Sequence, residues 1–162
     1  MKTIFVSVGL ERGTNQYPEI DRMATRDCLR MIFQYTAEDR HQIIVRDHPA
    51  VTSLLEAFMG AANPDMVVVP EQFSAEDIAR IYKPDVAFYL AGNDDVAWDH
   101  MALARDPAIL SVPLPGTGGA AELIEGRIGR DEQIKLDGER GGDVFGFYRI
   151  ARTMTNLRPP LR

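Results

Sequence analysis

The sequence predicts an α/β fold, a three-layer sandwich around a mostly parallel sheet of about five strands. Two observations carry this. Short continuous apolar runs alternate with segments of helical periodicity, in the order β-α-β-α-β-α-β-α-β-α. The runs lack the in-out alternation of a half-solvated sheet, so both faces of the sheet are expected to be covered. The chain has 162 residues, 45% of them apolar and 26% charged. That matches one ordinary globular domain, with residues 1–125 as its core and residues 126–162 as an extension of the same domain.

Residues 3–8 (Thr-Ile-Phe-Val-Ser-Val) are rich in β-formers and stop at Gly9. With one preceding lysine and then Glu11-Arg12, the start reads as a first strand rather than a signal peptide. A polar loop leads to a helix expected over residues 18–36, with Ile20, Met23, Ala24, Met31, Ile32 and Tyr35 at helical spacing. Residues 42–45 form a second strand. Val51, Leu54, Leu55, Phe58, Met59 and Ala62 share one face of the next helix. Residues 65–69 read as a buried strand. Ser74 and Asp77 form a capping box that opens a helix to residue 82. Residues 85–90 are a strand, 95–105 a helix and 108–112 a strand, and a last core helix begins at Ala120. Residues 126–143 read as a polar excursion, a hairpin or lid. Residues 144–155 fit a helix or a strand equally.

The net charge of −6 disfavours a nucleic-acid duplex as partner, because phosphate neutralisation needs clustered Lys and Arg. Residues 144–162 hold four arginines and no acid, which leaves 14 bases against 24 acids in residues 1–143. One cysteine, Cys28, excludes an intrachain disulfide framework, and three dispersed histidines make no metal set. No segment has the roughly 18 apolar residues of a membrane helix. A cytoplasmic protein with no membrane partner, metal or cofactor is expected.

Ligands of an open parallel sheet bind beyond the carboxyl ends of its strands. That selects residues 9–15, 46–49, 92–95 and 115–119. In Pro115-Gly116-Thr117-Gly118-Gly119 the small residues and the following helix start suit a phosphate, and Thr117 adds a hydroxyl. A tight turn is the plainer alternative. Gly92, Asn93, Asp94 and Asp95 offer an amide and carboxylates to a ribose diol, or a cap to the next helix. His48 follows Asp47 at a strand end and suits either a ligand contact or loop shaping. His41 and His100 read as incidental, and Trp98 reads as a core or interface residue before a base-stacking platform. Gly9, Leu10, Glu11 and Arg12 complete the expected ligand set. Neither a dinucleotide G-x-G-x-x-G after the first strand nor a Walker sequence is present, which disfavours hydride transfer and P-loop hydrolysis.

Four stretches in order resemble the SLOG superfamily, Rossmann-like domains related to LOG-type nucleotide hydrolases and to the DprA fold. They are Val6-Ser7-Val8-Gly9; Asp47-His48-Pro49-Ala50-Val51-Thr52, similar to that family's Gly-His-Pro-Ala-Ile-Thr; Leu90-Ala91-Gly92-Asn93; and Val112-Pro113 through Gly118-Gly119-Ala120-Ala121. The resemblance implies a sensor of a nucleotide-derived molecule of the ADP-ribose, cyclic ADP-ribose or NAD type, in a homo-oligomer. Phosphate is expected at Gly116, Thr117, Gly118 and Gly119, and ribose near Asn93, Asp94 and Asp95. The hydrolases' Pro-Gly-Gly-x-Gly-Thr-x-x-Glu loop is replaced here by residues 90–99, which put acids where phosphate would bind. Turnover is therefore disfavoured. The rival expectation is an N-glycosidic-bond hydrolase or deoxyribosyltransferase using Asp94, Asp95, Asp99 or Glu122.

Overall fold

The computed structural model describes residues 2–10, 16–38, 40–60 and 65–127. The strands are β1 (Thr3–Gly9), β2 (Gln42–Arg46), β3 (Met66–Val69), β4 (Val86–Ala91) and β5 (Leu110–Leu114). The helices are α1 (Arg22–Glu38), α2 (Pro49–Met59), α3 (Ala75–Tyr82), α4 (Asp94–Leu103) and α5 (Gly119–Arg127), the last preceded by a 3₁₀ turn, Pro115–Thr117. All strand pairs are parallel, in the order β3-β2-β1-β4-β5. This is a Rossmann-like three-layer α/β sandwich. Among the described residues no helix is long and apolar enough to cross a membrane. The reading of residues 128–162 as an excursion and a last element lies outside the described residues.

The continuous apolar runs have a direct use. Successive strand residues point to opposite faces, and both faces are buried. Ile4, Val6, Ile43, Val45, Phe88 and Leu90 pack against Cys28, Leu29, Ile32 and Phe33 of α1 and Val51 and Leu55 of α2. Phe5, Ile44, Ala87 and Tyr89 pack against Ala75 and Ile78 of α3, Val96 and Leu103 of α4, and Ala120 and Ile124 of α5. Each fully buried large side chain contributes about 1.5–3 kcal/mol.

Three expectations need correction. The helix read from residue 18 starts at Arg22, with the Asp21 carboxylate accepting the Ala24 amide at 3.0 Å. The stretch before it is held extended by another partner: Pro18 O accepts from Gly119 N at 3.1 Å, and Asp21 N donates to Thr117 O at 3.0 Å. β3 is an edge strand rather than a buried one, and Val68 is 41% exposed. The last strand lies two residues later than its apolar run and takes in Pro113, which an edge tolerates because among the described residues its missing N–H faces no neighbouring strand. The Ser74 cap forms as read, its hydroxyl accepting from Asp77 N at 3.1 Å. The Arg80 guanidinium, with Ser74 assisting, holds the Asp77 carboxyl below its ordinary value.

Cys28 faces the α1 side of the core. Burial, with Asp27 and Asp21 adding negative potential, pushes its thiol up to about 12. A thiolate is the reactive species, so a thiol reagent at neutral pH should leave the native protein untouched. It should titrate one thiol once the protein is denatured. Prompt labelling of the native protein would show instead that α1 opens readily.

Candidate functional site

The chain runs from β1 outward to β2 and β3, then crosses back to place β4 on the other side of β1. The connections leaving β1 and β4 therefore diverge, α1 to one face of the sheet and α4 to the other. A crevice beyond the carboxyl ends of these strands is the usual consequence. Here it is a cleft of about 650 Å³. That is within the range of small-molecule sites, about 300–1,000 Å³.

Its walls come from five segments. Val8, Gly9 and Leu10 end β1; Arg46 and His48 follow from β2; Phe73 and its neighbours lead from β3 into α3; Asp95, Trp98 and Asp99 belong to α4; and Val51 belongs to α2. Gly9 permits the close approach of β1 to α4. A Cβ there would lie 2.7 Å from both the Asp95 Oδ2 and the Gly92 Cα.

One wall is set by a charged network. Arg46 donates through both terminal nitrogens to the Asp99 carboxylate, one of them at 2.9 Å, and through Nε to the Phe73 carbonyl at 2.8 Å. Ser7 donates to the same carboxylate at 2.6 Å, and the Phe5 ring lies under the guanidinium at 5.4 Å. Asp99 is buried while the Arg46 side chain keeps 21% of its exposure. The bidentate geometry is the strong form of this pair, and it fixes α4 against β1 and β2. Arg46 has five N–H groups and spends three here, which leaves two for a ligand at the cleft wall.

The remaining groups divide by chemistry. Glu71, Glu76 and Asp95 are exposed acids at the mouth. Val8, Leu10, Val51 and Phe73 supply apolar wall. Trp98 is 66% exposed and lines the cleft, so of its two structural readings, core or interface, the core one is excluded. His48 caps α2, its Nδ1 accepting from the Ala50 amide at 3.3 Å. A nitrogen that accepts carries no proton, so the neutral ring is protonated at Nε2.

The sequence-predicted residues separate into two groups. Gly9, Leu10, His48, Asp95 and Asp99 meet at the cleft. Gly92 is buried in the turn behind it, and Asn93 holds the N-cap position of α4. Asp94 accepts a hydrogen bond from the Tyr17 hydroxyl, and Glu122 is on the exposed side of α5. Neither of these two lines the cleft. Glu11 and Arg12 lie outside the described residues.

The largest correction concerns the expected phosphate cradle. Gly118 and Gly119 are buried, and the amides of Gly119 and Ala120 donate to the carbonyls of Pro18 and Gly92. The buried Thr117 hydroxyl donates to Leu114 O at 2.6 Å and accepts from Ala91 N at 2.8 Å. Together with the half-buried Gly116, the loop locks β4, β5 and the chain before α1 together. The Gly119 and Ala120 amides and the Thr117 hydroxyl, donors expected at the phosphate, are thus spent on the fold. Sequence reasoning missed the segment 71–76, which lies at the same carboxyl edge, because Ser74 was absorbed by its capping role. Arg46 stood within a selected loop, but its carboxylate partner is 53 residues away.

No protein-family model matches the chain, and no curated protein matches it. Fold and cleft therefore define the class: a doubly wound parallel α/β domain with a ligand-sized cleft at its topological switch point.

Proposed function

We propose that the chain binds a nucleotide-derived small molecule of the ADP-ribose, cyclic ADP-ribose or NAD type in this cleft, as a sensor or binding module. The supporting observation is the pairing, at the switch point, of an exposed indole with hydroxyl-accepting carboxylates. Trp98 offers a stacking face to a base, and Asp95, Glu71 and Glu76 are acceptors for ribose hydroxyls. The resemblance to the SLOG superfamily points to the same ligand class.

Binding is favoured over turnover by how the four expected catalytic carboxylates are used. Asp99 is neutralised by Arg46 and bonded to Ser7. Asp94 is bonded to Tyr17. One Asp95 oxygen accepts from the amides of Asn93 and Val96, at 2.8 and 2.7 Å. Glu122 does not line the cleft.

Trp98 is the single tryptophan, so its emission reports this cleft alone. Titration with ADP-ribose, cyclic ADP-ribose and NAD should quench that emission with at least one of them. Calorimetry should give the same affinity, and chromatography should return the ligand intact. A well-folded sample silent to all three would overturn the reading, and release of a free base would replace it with the N-glycosidase.

A further inference from the structure

The nucleotide reading leaves the phosphates unplaced. The Gly119 and Ala120 amides are committed, and the cleft mouth carries Glu71, Glu76 and Asp95, which repel an anion at close range. Beside the cleft lies a second depression of about 610 Å³, lined by Leu10, Arg22, Met23, Arg26, His48 and Ala50. Leu10 and His48 belong to both, so the two spaces share a wall.

The charge of this groove is the reverse of the cleft's. Arg22 and Arg26 stand one turn apart on α1, both exposed, and neither is in an ion pair with a described residue. Like charges four residues apart on a helix disfavour the fold slightly, and here they occur in a chain of net charge −6. Among the described residues no acid neutralises the pair by contact. Asp21 spends one carboxylate oxygen on the Ala24 amide, and Asp27 and Asp47 are exposed without an ion pair to either arginine. His48 stands at the boundary of the two spaces. Two fork-shaped guanidiniums suit a diphosphate.

We infer that the groove between α1 and α2 is the anionic compartment of the same ligand site, taking the diphosphate of a nucleotide whose nucleoside occupies the Trp98 cleft. This rests on the nucleotide reading for the cleft, while the groove itself is an anion site on its own chemistry. Arg22 and Arg26 grip the phosphates, and Leu10 and His48 form the sill between the compartments.

The test is a three-by-three titration of the full chain by calorimetry. The probes are ADP-ribose, adenosine and inorganic pyrophosphate; the proteins are wild type, Arg22→Ala/Arg26→Ala and Trp98→Ala. All three replaced residues are exposed, so each variant should fold as wild type does. The double arginine variant should lose ADP-ribose affinity about ten- to thirtyfold and most pyrophosphate binding, while adenosine is unchanged. Trp98→Ala should do the opposite, weakening adenosine and sparing pyrophosphate. ADP-ribose affinity that ignores both arginines overturns the groove and leaves the nucleotide reading standing. Pyrophosphate binding that depends on the arginines, with no nucleoside binding, supports the groove and sinks the nucleotide reading. Silence toward all three probes overturns both.

Discussion

Gly118→Ala should be among the most damaging single changes in the chain, costing about 3–5 kcal/mol and lowering Tm by about 10 °C or more. Gly118 has φ +77°, and a Cβ there would lie 2.0 Å from the Glu19 carbonyl oxygen. That atom is backbone, so relief requires moving the strap before α1. Moving it strains the Asp21–Thr117 and Gly119–Pro18 hydrogen bonds that join α1 to α5. Gly60 supplies the control. Its φ is +81°, and among the described residues nothing lies within 4 Å of its would-be Cβ. Gly60→Ala should therefore show only the conformational penalty, about 1–3 kcal/mol. Urea denaturation of the two variants separates backbone conformation from overlap. If Gly118→Ala costs no more than Gly60→Ala, the loop has room, and its reading as a phosphate cradle becomes tenable again.

That contrast shows what the sequence reveals and what it withholds. Fold class and element order were legible because apolar runs and helical periodicity are local patterns of side-chain burial. Ser74 and Asp77 were legible as a cap for the same reason: the hydrogen bond spans three residues. A glycine pair before a helix is ambiguous locally. It provides close approach for a ligand or for another strand of backbone, and only the position of Pro18–Glu19 decides which. Asp99 was similarly ambiguous, since its partners Ser7 and Arg46 are 92 and 53 residues away. The edge position of β3 was hidden because strand order is set by crossovers, which composition does not encode. The carboxyl-edge rule located the correct rim of the sheet, and long-range contacts then chose which of its loops remained open.

The two halves of the rim differ for a physical reason. On the β4–β5 side the loops have closed on one another through backbone hydrogen bonds. On the β1–β2 side a charged pair replaces such closure, and a cleft survives beside it. An enclosed ion pair is a weak device for stability alone, because desolvation offsets most of the Coulomb gain. Its presence at the wall of the cleft invites a functional account.

Asp99→Ala should cost about 3 kcal/mol, the lower end of the range for breaking a buried pair, since Arg46 retains some water contact. It leaves the guanidinium facing Ser7 with no carboxylate, and the Ser7 hydroxyl without its acceptor. Arg46→Met should cost a similar amount through the stranded Asp99. The double replacement Arg46→Met/Asp99→Leu removes both charges and should return to within about 1 kcal/mol of wild type, as apolar substitutes for buried pairs often do. Chemical denaturation of the four proteins gives the coupling energy directly. The same set decides what the pair is for. If it serves only to join α4 to the sheet, the stable double variant should still quench Trp98 emission with ADP-ribose at wild-type affinity. If the two uncommitted N–H groups of Arg46 hold the ligand, the double variant should fold normally and bind at least about tenfold more weakly. We expect the second result, because an apolar pair would have kept this joint at no cost in stability and without the charge.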